Sequence, residues 1–110
     1  MISFKDEYPY ACESTRMVQG IMFILPSRQR FIPYSWLLYA EVNDKKTEIH
    51  FHYTHAVVTV TGTNLGFIHE MVIRYELYAV RELPRPVSAK VDDLTVSRIE
   101  ITEKPDDQTE

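Results

Sequence analysis

The chain has 110 residues, of which 45% are hydrophobic and 25% charged, and its formal net charge is −4. This length fits one domain with a single modest core. The negative balance argues against a general nucleic-acid binder, because such proteins gain much of their affinity by neutralising phosphates. With three glycines, the sequence contains neither a P-loop nor a dinucleotide-binding fingerprint.

The sequence also lacks the usual marks of export and of membrane insertion. Cys12 is the single cysteine, which excludes a disulfide within the chain. No apolar stretch approaches the length of a membrane span. Charged residues occupy positions 5–7, where a signal peptide would be apolar. We therefore predict a cytoplasmic protein with no membrane partner.

The first third of the chain predicts an arm and a hairpin. Residues 1–16 mix charged and aromatic side chains, which is typical of either a flexible arm or an edge strand. Residues 17–25 and 30–34 have strand composition and flank a turn over 26–29. Pro33 lacks a backbone N–H, so the second strand lies near a sheet edge or ends there.

Residues 36–64 predict three consecutive strands joined by turns at 43–46 and 54–55. Side chains of a strand alternate between its two faces. The predicted core face carries Trp36, Leu38, Ala40 and Val42 on the first strand, Ile49, Phe51 and Tyr53 on the second, and Val58 and Val60 on the third. The polar side chains then share the opposite face, as in a half-buried antiparallel sheet.

A helix is predicted to cover the apolar face of this meander. Its apolar positions follow the spacing of one helix face, with Thr63 or Asn64 as the N-cap. These positions are Leu65, Ile68, Met71, Val72 and Tyr75. The helix must stop before Pro84. We expect it to continue to near Arg81, although residues 76–82 also alternate and could instead form a short strand.

The last part of the chain predicts a linker, a strand and a tail. Residues 83–88 contain two prolines and form the linker. Residues 92–103 suggest a final strand that returns to its own sheet or pairs with a neighbouring chain. Residues 104–110 form a disordered acidic tail.

These elements together predict an α+β fold in one domain over residues 1–103. We expect a curled antiparallel sheet of five to six strands, small and barrel-like, because strongly twisted small sheets tend to curl. The amphipathic helix follows the meander of residues 36–64 and closes one side of the sheet.

Two histidines two residues apart form the sharpest chemical pattern. His50 and His52 share one face of the second meander strand, and Glu48 lies one step back on that face. Glu41 could join them from the neighbouring strand if the register permits. Imidazole nitrogens and carboxylate oxygens are common zinc ligands. The hypothesis is a divalent-metal site, with zinc as the cofactor, and the alternative is a solvated polar face.

A second pattern mixes cations with aromatic rings. Arg28, Arg30 and Tyr34 lie together with Phe31, and this combination can hold phosphates and stack bases. The hypothesis is a nucleic-acid-binding β module. The alternative, an ordinary surface turn, is favoured by the acidic total charge.

The aromatic content favours a third class of function. Seven tyrosines and five phenylalanines are spread over every predicted element, and tyrosine is enriched at protein interfaces. No strand–serine–helix elbow is present, so the sequence favours a non-enzyme. We predict a small structural or interaction module that forms a homo-oligomer or docks a protein partner through a sheet edge and an aromatic surface.

Overall fold

The computed structural model describes residues 4, 10–83 and 94–104. Within these ranges the chain forms eight strands, one helix and one short 3-10 turn. The strands are β1 (Ala11–Glu13), β2 (Gly20–Ile24), β3 (Gln29–Pro33), β4 (Leu37–Val42), β5 (Glu48–Tyr53), β6 (Ala56–Thr63), β7 (Leu77–Arg81) and β8 (Thr95–Glu103). The 3-10 turn spans Tyr34–Trp36, and helix α1 spans Gly66–Ile73.

The strands form two four-stranded sheets, and the predicted α+β class is confirmed. The first sheet has the order β1-β7-β2-β3 and the second the order β4-β5-β6-β8. All pairs are antiparallel except β2 with β7. The sequence predicted one curled, barrel-like sheet, whereas the two sheets do not close into a barrel. The difference arises because β7 pairs with β2 of the first hairpin, and β1 pairs with β7, so the hairpin belongs to a separate sheet.

Aromatic side chains join the inner faces of the two sheets. Phe23 of β2 packs edge-on against Phe51 and Tyr53 of β5, with ring centroids 5.3 and 6.3 Å apart. The predicted inward faces of β5 and β6 are confirmed, since their apolar residues are all buried. Burial of side chains this large supplies the main favourable contribution to the folding free energy.

The helix ends earlier than predicted. Leu65, rather than Thr63 or Asn64, occupies the N-cap, and α1 stops at Ile73. The predicted continuation to near Arg81 is wrong. Tyr75 has φ 59°, a left-handed conformation that breaks the helix. Its side chain is half exposed, whereas the other predicted helix-face positions are buried.

Strand β7 follows this break and explains it. Pairing with β1 on one side and β2 on the other buries Leu77, Ala79 and Val80 completely. This burial outweighs the local helical preference of the segment, because propensity is a weak prior against tertiary contacts. Helix α1 has eight residues, and no helix in the described part of the chain could span a membrane.

A bulge changes which side of β4 faces the core. Leu37 lies opposite Tyr53 and Tyr39 opposite His52, so Leu38 is an extra residue on β4. Leu38 is 60% exposed, and the predicted inward position of Leu38 is wrong. Leu37 packs on the core in its place, together with the correctly predicted Ala40 and Val42. Trp36 lies in the 3-10 turn before the strand and is also half exposed.

The structure decides between the alternatives that the sequence left open for the final strand and for the N-terminal arm. The final strand returns to its own chain, because β8 pairs with β6. Within the predicted arm, residues 11–13 form the edge strand β1. Residues 1–3 and 5–9 of the arm, 84–88 of the linker and 105–110 of the tail lie outside the described residues.

Gly62 on β6 is required for the close approach of β8. A Cβ atom at Gly62 would lie 1.9 Å from the backbone oxygen of Thr95. We predict that Gly62→Ala lowers the free energy of unfolding by about 3 kcal/mol, the upper end for overpacking. Urea unfolding followed by Trp36 fluorescence measures this.

Gly66→Ala is the matched control. Its added Cβ would meet only the Lys46 side chain, at 3.5 Å or more, which is an ordinary contact. Its effect should stay within about 0.5 kcal/mol or be stabilising. Equal losses in the two variants would contradict the close-approach explanation.

Candidate functional site

The free edges of the two sheets are the natural places for a partner chain. An edge strand presents unpaired N–H and C=O groups, and proteins usually cover or shorten such strands. The described part of the chain has four edge strands, namely β1, β3, β4 and β8. Their surroundings differ, and the differences point to β3.

The edge of β4 is covered by the helix. Helix α1 packs beside β4, and Nε2 of His69 lies 3.2 Å from the carbonyl oxygen of Ala40. The imidazole donates to this oxygen when Nε2 carries the proton. One backbone acceptor of the β4 edge is therefore paired within the chain.

The segment after β7 covers part of the β8 edge. The N–H of Leu83 donates to the carbonyl of Val96 over 3.0 Å. The N–H of Ile99 donates to the carboxylate of Glu82 over 2.8 Å. In the first sheet, the edge strand opposite β3 is β1. It is only three residues long and offers little to a partner.

The hydrogen-bond register of the β2–β3 hairpin shows which β3 groups face outward. The N–H of Leu25 donates to Arg28 at one end, and the N–H of Tyr34 donates to Gln19 at the other, both over 2.8 Å. Hydrogen-bonded and non-hydrogen-bonded pairs alternate along an antiparallel ladder. Arg30 therefore bonds with β2, as does its second neighbour along the strand.

It follows that the backbone groups of Gln29, Phe31 and Pro33 point away from β2. Among the strands of the described chain, β3 pairs only with β2. No other described segment makes a backbone hydrogen bond with these three residues. The free edge thus offers two N–H donors, from Gln29 and Phe31, and three carbonyl acceptors.

The side chains along this edge do not guard it with charge. Phe31 is 50% exposed and Gln29 is exposed and uncharged. Arg30 lies on the other face of β3, where its Nη1 contacts Oε2 of Glu103 at 2.7 Å. This contact holds the pKa of the Glu103 carboxyl below its usual range. The cation on β3 is therefore compensated within the chain.

An open cavity of about 620 Å³ lies beside Phe31. Its lining comprises Glu13, Ser14, Thr15, Val18, Gln19, Gly20, Met22, Phe31 and Tyr78. The Phe31 ring approaches Gly20, where an added Cβ would lie 2.6 Å from Cζ of Phe31. Glycine at position 20 thus allows the aromatic wall of the cavity to form.

A bulge turns another aromatic side chain toward the same cavity. On β7, Ala79 lies opposite Cys12 and Leu77 opposite Glu13, so Tyr78 is the extra residue. Burial and the contact with Cys12 raise the pKa of the Tyr78 hydroxyl. The cavity thus combines two aromatic walls with a polar rim, a composition typical of binding surfaces.

The histidine pattern forms two separate pairs on the outer face of the second sheet. His50 Nε2 lies 3.5 Å from Oε1 of Glu48, and His52 Nε2 lies 3.4 Å from Oε1 of Glu41. The His52 contact lacks hydrogen-bond geometry. Tyr39 stacks on His52 with ring centroids 4.2 Å apart. The register that would bring Glu41 next to this strand is therefore present.

The predicted metal ligands are neighbours, but each histidine faces its own carboxylate. The rings of His50 and His52 are 6.1 Å apart. Residues 10–83 and 94–104 contain no group of three or more His, Cys, Asp or Glu side chains placed to hold one metal ion. The zinc hypothesis stays a prediction.

Native mass spectrometry after zinc addition tests that hypothesis. A site built on His50 and His52 predicts one zinc ion per chain, lost in the double variant His50→Ala/His52→Ala. The control is His55→Ala, because His55 packs against Trp36 in the turn at the strand end. Zinc uptake that is unchanged in the double variant would dismiss the site.

The residues predicted to bind nucleic acid do not form a basic surface. Arg30 contacts Glu103, and the hydroxyl of Tyr34 is directed inward, where it donates to the carbonyl of Leu77. Burial raises the pKa of Tyr34 despite this bond. Of the three candidates, Arg28 in the hairpin turn is the one with an exposed side chain that makes no ion pair or hydrogen bond with the described residues. Nucleic-acid binding stays a prediction that the geometry does little to support.

Tyr34 is instead expected to stabilise the fold, and Tyr53 provides the comparison. Tyr34→Phe should lower the free energy of unfolding by about 1 kcal/mol, because the carbonyl of Leu77 loses its donor. Tyr53 also has a buried hydroxyl, which has no hydrogen-bond partner among the described residues. Tyr53→Phe should therefore cost less, as measured by urea unfolding. A larger loss from Tyr53→Phe would contradict this assignment.

Comparison with protein-family models, with curated proteins and with solved structures finds no match to this chain.

Proposed function

We propose that this chain is a protein-interaction module that docks an extended polypeptide segment by strand addition along the free edge of β3. The observation that supports this most directly is the register of the β2–β3 hairpin. It directs the donors of Gln29 and Phe31, and the acceptors of both residues, to the unpaired side of the strand.

Strand addition uses the main chain for affinity and alternate side chains for specificity. A segment bonded to Gln29 and Phe31 places every second side chain on the outer face of the first sheet. That face carries the exposed Phe31 ring and the cavity beside it. An apolar side chain of the segment would lie against this ring, so both sources of binding energy coincide.

Pro33 limits the length of the docked segment. It offers a carbonyl but no N–H, so the donors of the edge end at Phe31. The ladder can therefore extend over about five residues of the partner, the length of β3 itself. A segment this short gives modest affinity, which suits a reversible contact.

The other hypotheses receive less support from the geometry. A metal-binding function would use His50 and His52, which face separate carboxylates. A nucleic-acid-binding function would use Arg30, whose charge is compensated by Glu103. The predicted cytoplasmic location and the absence of enzyme activity stay predictions.

A peptide probe tests the proposal at single-residue resolution. The probe is a capped peptide of alternating threonine and valine with one lysine at each end, added to dilute ¹⁵N-labelled protein. We expect shifts and slower hydrogen exchange at the amides of Gln29 and Phe31 but not at Arg30, because only the first two face outward. Phe31→Pro should abolish the effect at Gln29.

Phe31→Ala is the matched control, since both variants lack the ring but only proline lacks the N–H donor. Proline at this position breaks no bond to β2. Binding should be about tenfold weaker in Phe31→Pro than in Phe31→Ala. Peptide effects that are absent, or equal at inward and outward amides, would refute strand addition at β3.

A further inference from the structure

We infer that the segment that docks on β3 is the β3 strand of a second copy of this chain, antiparallel and with Phe31 on the two-fold axis. This inference rests on the proposed function and names the partner for the same edge. It is carried by the self-complementarity of the edge, which can be read residue by residue.

Centring the pair on Phe31 uses every free donor of the edge. The two Phe31 residues exchange N–H to C=O bonds with each other. Each Gln29 N–H then donates to the Pro33 carbonyl of the second copy. Four hydrogen bonds form, and the missing N–H of Pro33 leaves only the Gln29 carbonyl, at the outer end of the ladder, to bond with water.

The two neighbouring registers are worse. Centring on Arg30 would also form four bonds, but it would place the two Arg30 side chains directly opposite each other. Like charges in opposed positions destabilise a sheet. Centring on Ile32 would place Phe31 opposite Pro33, where proline cannot return the hydrogen bond. The Phe31 register avoids both costs and creates a cross-strand aromatic pair, which is favourable.

The charges next to the interface are compatible with this register. Arg30 would face Ile32 of the second copy rather than another cation. Its own partner, Glu103, remains beside it in the same chain at 2.7 Å. The exposed side chains that meet at the axis are therefore the two Phe31 rings, flanked by uncharged Gln29 residues.

The resulting dimer would have a continuous eight-stranded sheet in the order β1-β7-β2-β3-β3-β2-β7-β1. A two-fold axis between antiparallel neighbours in one sheet is perpendicular to that sheet. The outer faces of both copies therefore lie on the same side. The two cavities, each with Phe31 in its wall, open on that side next to the central aromatic pair.

Cysteine cross-linking tests both the partner and the register. In a Cys12→Ala background, Phe31→Cys is oxidised and analysed by intact mass and non-reducing gel. Opposite residues of a hydrogen-bonded pair have Cα atoms about 5.5 Å apart, within the range of a disulfide, about 4.4–6.8 Å. We expect a disulfide-linked dimer.

Two further variants are controls for the register. Gln29→Cys alone should not cross-link, because its two copies are offset by about 13 Å along the strands. The same is expected of Pro33→Cys alone. An equimolar mixture of Gln29→Cys and Pro33→Cys should cross-link, because these positions face each other across the axis.

Sedimentation velocity of the unmodified chain completes the test. We expect a reversible dimer whose dissociation constant rises about tenfold more in Phe31→Pro than in Phe31→Ala. A monomer at every concentration, without Phe31→Cys cross-links, would overturn the inference. If the threonine–valine peptide still protected Gln29 and Phe31, the proposed function would stand with a different partner.

Two other outcomes separate the remaining cases. Cross-linking of Gln29→Cys with itself would overturn the Phe31 register. A dimer that persists unchanged in Phe31→Pro would place self-association on another surface. If peptide protection were also absent in that case, both the inference and the proposed function would fail.

Discussion

The parallel pairing of β7 with β2 is the constraint on which the rest of the architecture depends. A parallel neighbour requires a long crossover, and here the chain between β2 and β7 contains β3, the 3-10 turn, β4, β5, β6 and α1. Because the crossover must return to the first sheet, the helix has to stop early, and Tyr75 takes a left-handed conformation to allow it. The same pairing places β7 between β1 and β2 and leaves β3 at the edge.

Three bulges in the described strands then decide which side chains face outward. Leu38 on β4, Tyr78 on β7 and Ser97 on β8 are each the extra residue against one partner strand. An extra residue reverses the alternation of side chains on one side of it, and it disrupts the hydrogen-bond ladder only locally. The exposed Leu38 and the Tyr78 wall of the cavity both follow from this. At the β8 bulge, the Ser97 hydroxyl donates a hydrogen bond to the Thr61 carbonyl of β6 and so replaces a contact of the interrupted ladder.

The sequence allowed correct predictions where the pattern was local. The strict alternation of apolar and polar residues in β5 and β6 predicted correctly which faces are buried. Pro33 correctly indicated that β3 lies near a sheet edge. On β4 the predicted inward position of Leu38 was wrong, because a bulge has no signal in a two-residue pattern, whereas Ala40 and Val42 were placed correctly. The prediction failed on the helix end because burial of Ala79 and Val80 depends on distant strands. The outward groups of Gln29 and Phe31 required the hairpin register, which composition does not contain.

The edge strands of the two sheets differ in how their unpaired backbone groups are protected. One contact from His69 covers part of the β4 edge, and two contacts, from Glu82 and Leu83, cover part of the β8 edge. On β3, the one cation faces inward to Glu103 and the one proline stands last in the strand. If Arg30 and Phe31 exchanged places, an outward cation would repel a second copy and the edge would be guarded in the usual way. Which of residues 30 and 31 lies on the outer face of β3 therefore decides whether this edge is guarded by a charge or is self-complementary.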